Sequence, residues 1–171
     1  AVLSLVESAI QRVIVLVIVY GNDLWKAINL FIQKLTKEKD PTNYIGVGKT
    51  KSDKFILISS QATLSSEVRW LDANKPEGTF TVFQPRMKEV LYSVDHAIDK
   101  FYIRTNLQAK NFKIMTSAEN KTDSASWTDL IAHNDKILIQ GFDLFKNFLA
   151  VSERKDGLTQ IHILNTKDNS S

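Results

Sequence analysis

"DKFILISS", residues 53–60, decides the fold, because two later segments of the chain resemble it. DKFYIRTN at residues 99–106 and KNFLAVSE at residues 146–153 align with it without gaps. Each copy carries a phenylalanine at the same place: Phe55, Phe101 and Phe148. These phenylalanines are spaced 46 and 47 residues apart, so the chain contains an internal repeat.

Further β-branched and aromatic runs flank every copy, separated by Asp, Asn, Ser, Lys and Gly. The preceding runs are residues 44–47, 90–93 and 137–140, the following runs are 68–71, 112–115 and 161–164, and a fourth run closes the first two units at 79–83 and 127–131. Four strands in a period of about 40–50 residues are typical of a β-propeller blade. The sequence therefore predicts a mainly β fold of about three four-stranded antiparallel blades.

A single blade cannot bury both of its faces, so blades stack into rings. The smallest closed propellers have about four blades, and this chain holds about two and a half to three units. We therefore expect residues 39–171 to be a partial propeller, either a segment of a larger protein or one that relies on a partner. Exposed blade edges would also favour self-association.

Residues 1–38 form a divergent N-terminal segment. The apolar run at residues 13–20 is short of the roughly 20 residues of a membrane span and lacks the basic start of a signal peptide, which favours a buried strand. The spacing of apolar residues within 22–35 indicates an amphipathic helix. That helix would cover its own domain, dock on another surface or, through its lysines, contact a membrane.

Composition excludes several classes of site. The chain has no cysteine, which removes disulfides, thiolate zinc sites and cysteine nucleophiles and favours a cytoplasmic location. Its net charge is +3 without a dense basic tract, so nucleic acid is not an expected partner. We expect no cofactor.

A fragment of a phosphate-binding loop is present at Gly48-Lys49-Thr50 and raises the hypothesis of a nucleotide-binding enzyme. A complete loop needs a glycine five residues before Gly48, where the chain has Asn43, and a helix afterwards. The residues that follow, 51–54, indicate a turn leading into a strand. We therefore predict that residues 44–48 form the inner strand of a blade, with glycines that allow close backbone approach near the propeller axis, and no nucleotide site.

Several distinctive strings resemble the propeller of oligopeptidase B, a branch of the prolyl oligopeptidase family. They are Asp95-His96, DKFYIRTN (99–106), AKNF (109–112), SEVRWLDA (66–73), PEG (76–78), GFDLF (141–145), SER (152–154) and Gly157-Leu158. The similarity is collinear from about residue 39 to residue 164, whereas residues 1–38 depart from the pattern.

The resemblance implies part of a two-domain serine peptidase, in which a seven-bladed propeller screens an α/β-hydrolase domain and admits short peptides. Enzymes like oligopeptidase B cut after Arg or Lys. The matched segment would be the middle-to-late propeller, and the catalytic domain, its main partner, is absent from these residues. The alternative is a protein-interaction module whose blades complete a ring with another chain.

The residues themselves predict no catalytic or metal site. None of the six glycines brackets a serine as Gly-x-Ser-x-Gly, so the chain lacks a nucleophile elbow and should be inactive alone. His96, His133 and His162 are interpreted as residues of strands or turns. Asp95, His96 and Asp99 are close in sequence, but no further His or Cys completes a metal-ligand set, and capping of turns is favoured.

One loop is a candidate for substrate contact. By the same resemblance, the segment containing Gln61, Thr63, Ser65 and Ser66 corresponds to a loop that approaches the substrate in prolyl oligopeptidases. Loops on rigid scaffolds are where binding contacts usually lie. The alternative is a plain surface loop.

Overall fold

The computed structural model of the protein describes residues 43–75, 78–168 and 170. Within these residues the chain forms eleven β-strands and one short 3₁₀ turn at Ser124–Ser126. The strands are β1 (Tyr44–Lys49), β2 (Phe55–Gln61), β3 (Ser66–Asp72), β4 (Thr81–Gln84), β5 (Tyr92–Ala97), β6 (Lys100–Thr105), β7 (Lys113–Ala118), β8 (Thr128–Ile131), β9 (Ile137–Leu144), β10 (Phe148–Lys155) and β11 (Leu158–Asn165). The strand and helix predicted at 13–20 and 22–35, and the divergent segment 1–38 as a whole, lie outside the described residues.

The strands form three antiparallel sheets, each built from neighbours in sequence. Sheet 1 has the order β1-β2-β3-β4, sheet 2 the order β5-β6-β7-β8, and sheet 3 the order β9-β10-β11. The three repeated segments form β2, β6 and β10, which are interior strands of their sheets and occupy equivalent positions, as the alignment predicts. The mainly β, blade-like architecture is therefore confirmed, with three strands instead of four in sheet 3 as far as the described residues extend.

Two apolar cores join the sheets in succession. Between sheets 1 and 2, Phe55, Val68 and Phe83 pack with Phe101 and Trp127. Between sheets 2 and 3, the core contains Tyr102, Ile114, Ile139, Leu149 and Val151, among others. Alternate residues of β6 thus face opposite neighbours, since side chains on a strand point in turn to its two faces. Sheet 2 is buried on both faces, as a blade inside a stack must be.

Some strand boundaries differ from the predicted runs. Val90 and Leu91 precede β5, and their carbonyl oxygens accept hydrogen bonds from the backbone N–H groups of Ser66 and Asn106. Phe112 precedes β7 and has a φ of 63°, which is the left-handed region and not extended. Phe112 packs against the core between sheets 2 and 3, so its apolar side chain does not mark a strand start.

The Gly48-Lys49-Thr50 segment ends β1 and leads into a turn at 51–54 and then into β2. The predicted hairpin is confirmed, with Thr50 donating its N–H to the carbonyl oxygen of Phe55 at 2.9 Å. The predicted close approach at the glycines is not seen. Among the described residues, no atom lies within 4 Å of where a Cβ of Gly46 or Gly48 would be. The reason is that β1 is an edge strand here, paired with β2 on one side.

Candidate functional site

Antiparallel order places the loops of all three sheets at two opposite ends. The β2–β3 and β6–β7 loops share one end with the links β4–β5 and β8–β9, and we call this the connection end. The β1–β2, β5–β6 and β9–β10 turns lie at the other end, which we call the hairpin end. Hydrogen bonds confirm this grouping, since Ser66 N–H donates to Val90 at the connection end and Ser52 N–H donates to His96 at the hairpin end.

The candidate substrate loop lies at the connection end, between β2 and β3. Gln61 and Thr63 are exposed, as is Leu64 at 62%. Ser65 is half-buried and Ser66 is buried. The four predicted residues are thus close together, but they do not share one environment.

Ser66 connects sheet 1 to sheet 2. Its hydroxyl donates to the carbonyl oxygen of Tyr92 at 2.8 Å and accepts from the N–H of Tyr92 at 2.6 Å. The Tyr92 hydroxyl, in turn, accepts from the N–H of Val68 at 2.9 Å and donates to the carbonyl oxygen of Gln84 at 2.5 Å. Burial raises the pKa of Tyr92 to about 12, so this phenol stays protonated. Ser66 therefore anchors the loop, and the surface open to a ligand is formed by Gln61, Thr63 and Leu64.

Arg86 holds the same loop from the β4–β5 link. Its Nη1 donates to the carbonyl oxygen and the hydroxyl of Ser65, at 3.1 and 3.0 Å. Its Nη2 donates to the carbonyl oxygen and the hydroxyl of Ser60, at 3.3 and 2.8 Å. One guanidinium thus bridges the two sides of the loop.

At the hairpin end, Asp95 is used by the backbone. Its Oδ1 accepts from the N–H of Lys51 at 2.8 Å and from the N–H of His96 at 2.7 Å. Burial raises the pKa of Asp95, although these two N–H donors act in the opposite direction. The described residues contain no cluster of three or more His, Cys, Asp or Glu side chains suited to a metal ion. Capping of turns, the interpretation favoured from sequence, is what the Asp95 contacts show.

His96 is at the centre of a polar array that sequence reasoning missed. Its ring is 0% exposed and lies 4.8 Å, between centroids, from the rings of both Phe55 and Phe101. The Nδ1 atom is 2.7 Å from the hydroxyl of Ser52, and Nε2 is 2.9 Å from Oε1 of Glu119. Lys54 Nζ also donates to Glu119, at 2.6 Å.

The array looks like a serine, histidine and carboxylate triad, but its chemistry is different. The Ser52 hydroxyl is already engaged, since it accepts from the N–H of Lys54 at 3.3 Å and lies 3.0 Å from the hydroxyl of Thr50. A triad histidine must exchange protons with a substrate, whereas His96 is sealed between two phenylalanine rings. The arrangement favours a structural link between sheets 1 and 2.

Charge in this array is governed by burial. Burial lowers the pKa of His96, with the Glu119 carboxylate acting in the opposite direction. The hydrogen bond from Lys54 lowers the pKa of Glu119. The neutral ring satisfies both neighbours when Nε2 donates to Glu119 and Nδ1 accepts from Ser52.

The other two histidines are separate from this array. His133 lies in the β8–β9 link, with Nε2 3.9 Å from Oδ1 of Asp135. His162 is on β11, with Nδ1 3.1 Å from Oε1 of Glu153. The described residues therefore bring no two histidines into one site. No described helix has the length and apolar character of a membrane span.

Comparison with known proteins places this architecture in a family. The family model for "Prolyl oligopeptidase, N-terminal beta-propeller domain" matches residues 33–171. Dipeptidyl aminopeptidase BI of Pseudoxanthomonas mexicana is 41% identical over 135 residues, which are 78% of this chain and 18% of that protein. Protease 2 of Moraxella lacunata is 30% identical over 128 residues, 75% of this chain and 18% of that protein.

Solved structures of the same family also superpose on this chain. Oligopeptidase B from Trypanosoma brucei, in a closed form with covalently bound antipain, superposes with a TM-score of 0.70 and 31% identity over 77% of this chain and 19% of its own. Oligopeptidase B from Leishmania major gives a TM-score of 0.69 and 27% identity, again over 77% of this chain and 19% of its own. The chain thus spans about a fifth of the length of the relatives it matches. It belongs to the prolyl oligopeptidase family, as part of the family's N-terminal β-propeller domain.

Proposed function

We propose that this chain is the non-catalytic propeller portion of a serine peptidase and gates the access of short peptides to a catalytic α/β-hydrolase domain. The observation that carries the proposal is three consecutive blades of the family's propeller in residues without a Gly-x-Ser-x-Gly segment. Within that proposal, the exposed part of the β2–β3 loop, Gln61 and Thr63 with Leu64, contacts peptide. A cytoplasmic location remains a prediction.

Two cleavage modes are supported by different relatives. Resemblance to oligopeptidase B favours endopeptidase cleavage after Arg or Lys. Identity of 41% with a protein named dipeptidyl aminopeptidase favours removal of dipeptides from a free N-terminus. Two substrates separate the modes: an N-terminally blocked peptide amide ending in Arg, and a dipeptide amide with a free amino group. Only an endopeptidase accepts the blocked one.

The decisive experiment expresses the full reading frame around this chain beside the 171-residue chain alone. We expect the longer product to cleave one of the two amides and the chain alone to cleave neither. If the longer product cleaves unfolded proteins as fast as it cleaves short peptides, the proposed gating of access by the propeller is contradicted. A reading frame that encodes no hydrolase domain would contradict the peptidase proposal.

A second candidate is a module that completes a ring with another chain. The supporting observation is the outward face of sheet 3, where Ile161 is 69% exposed and Phe148 and Ile163 are about half exposed. Sedimentation at increasing concentration distinguishes the candidates, since a monomer at every concentration counts against this one.

A further inference from the structure

The β2–β3 loop is fixed at its base and open at its tip. The N–H of Ala62 donates to the carbonyl oxygen of Ser65 at 2.8 Å, which closes a tight turn. Ser66 then anchors the start of β3 to Tyr92 of the next sheet. Between these fixed points, Thr63 and Leu64 project from the connection end.

Arg86 is a second side chain that holds this turn, in addition to Ser66. Its four hydrogen bonds reach residues 60 and 65, on opposite sides of the turn. Across the part of the chain that the structure describes, no carboxylate oxygen lies within ion-pair distance of its guanidinium. The guanidinium of Arg86 therefore orients the oxygens of Ser60 and Ser65. The planar fork of arginine can donate to both residues at once, whereas the ammonium of lysine cannot.

We propose that Arg86 is a positioning residue for peptide substrates: it holds Thr63 and Leu64 where they contact peptide residues remote from the bond that is cut. The inference rests on the proposed function. It adds to that function the residue on which the affinity for longer peptides depends. A loop that is already ordered binds peptide without the entropy cost of ordering the loop. Loss of that order should therefore raise KM and leave kcat nearly unchanged.

The substrates for the test differ in length and share one bond. The shorter is the smallest chromogenic amide that the full-length protein cleaves, and the longer is a fluorogenic peptide of about eight residues containing the same bond. For Arg86→Met we expect KM for the longer peptide to rise about tenfold, equivalent to about 1.4 kcal/mol, with kcat unchanged. Kinetics on the shorter amide should not change.

Two further variants and a control complete the design. Arg86→Lys should give an intermediate KM, because an ammonium cannot make the paired bonds. Ser65→Ala removes one acceptor, leaves Arg86 in place, and should raise KM for the longer peptide two- to threefold even where Arg86→Met fails to fold. Arg69→Met is the matched control, since Arg69 pairs with Glu67 on its own strand and should not affect KM.

The outcomes separate this inference from the proposed function. If the full-length protein cleaves both substrates and neither Arg86→Met nor Ser65→Ala changes KM, the inference is overturned and the peptidase stands. Equal losses on both substrates also overturn it, because they indicate general damage. A full-length protein that cleaves neither substrate overturns the proposed function and this inference with it.

Discussion

At the scale of the residue, His96 shows how an ionisable group becomes a structural one. The ring has an aromatic neighbour on each side and a hydrogen bond at each nitrogen, to Ser52 and Glu119. Burial lowers its pKa, so folding favours the neutral ring. Stability from such a group is complete above the ordinary pKa of about 6.5 and is lost as pH falls through the lower folded value.

We therefore predict that acid weakens the fold through His96. The free energy of unfolding should fall by at most about 1.4 kcal/mol per pH unit below about pH 6.5. Glu119, whose pKa is lowered, adds a loss in the same direction at lower pH, whereas the raised pKa of Asp95 acts against it. Urea unfolding between pH 8 and pH 5 measures the slope.

His96→Phe keeps the aromatic packing and removes both hydrogen bonds. We expect it to cost about 1–3 kcal/mol at pH 7.5, since Ser52 and Glu119 lose a partner, and to flatten the slope near pH 6. His133→Asn is the control, because His133 lies in the β8–β9 link, outside the array of Ser52, His96 and Glu119, with Nε2 3.9 Å from Oδ1 of Asp135. A His96→Phe variant with the wild-type slope would show that other groups cause the pH dependence.

At the scale of the element, neighbouring sheets are joined by side chains as well as by apolar cores. Arg104 of β6 donates through Nε to the carbonyl oxygen of Ile139 on β9, at 2.9 Å. Its guanidinium carbon is 3.6 Å from the centroid of the Phe112 ring. Arg104 thus links sheet 2 to sheet 3 by the hydrogen bond, whereas its cation–π contact is with Phe112 in the β6–β7 loop of sheet 2 itself.

Arg104→Met should lower the free energy of unfolding by about 1–3 kcal/mol, because a buried carbonyl loses its donor and the ring loses its cation. Lys110→Met is the comparison, since the Lys110–Asp135 pair is exposed and such pairs contribute about 0–1 kcal/mol. Chemical denaturation of both variants tests the difference. Equal effects would mean that Arg104 does not link the sheets.

At the scale of the whole molecule, the described sheets form a stack with an exposed apolar face on sheet 3. Sheet 2 has a neighbour on both sides. The other face of sheet 1 carries a buried apolar cluster of Ile56, Leu71 and Phe80, whereas sheet 3 presents an exposed outward face. On sheet 3 that face carries Ile161 and Ile163, on the strand β11, which among described strands pairs with β10 alone. Open edges and apolar faces favour association with another chain.

We expect the 171-residue chain to self-associate as its concentration rises. Ile161→Lys should shift sedimentation towards monomer without lowering the free energy of unfolding, because the side chain is already exposed in the monomer. Gln160→Lys adds the same charge on the opposite face of β11 and should leave association unchanged. Association that both variants reduce equally would indicate net charge, and not this face, as the cause.

The sequence by itself determined the strands, the period and the family, because side-chain alternation, turn residues and a 46–47-residue repeat are local signals. It also located the β2–β3 loop and the hairpin at Gly48-Lys49-Thr50. The strand boundaries predicted from sequence were least accurate at residues 90–91, which precede β5, and at Phe112, whose apolar side chain packs between sheets 2 and 3.

Tertiary structure alone decided which polar groups meet. Ser52 and His96 are 44 residues apart, His96 and Glu119 are 23 apart, and Arg86 is 26 residues from Ser60. No local pattern connects positions so distant, and each residue read singly is an ordinary turn or strand residue. Ser52 and His96 meet because successive sheets stack face to face, which brings equivalent turns of neighbouring blades to the same end of the molecule. His96 meets Glu119, and Arg86 meets Ser60, because antiparallel strands bring separate loops of one sheet to the same end.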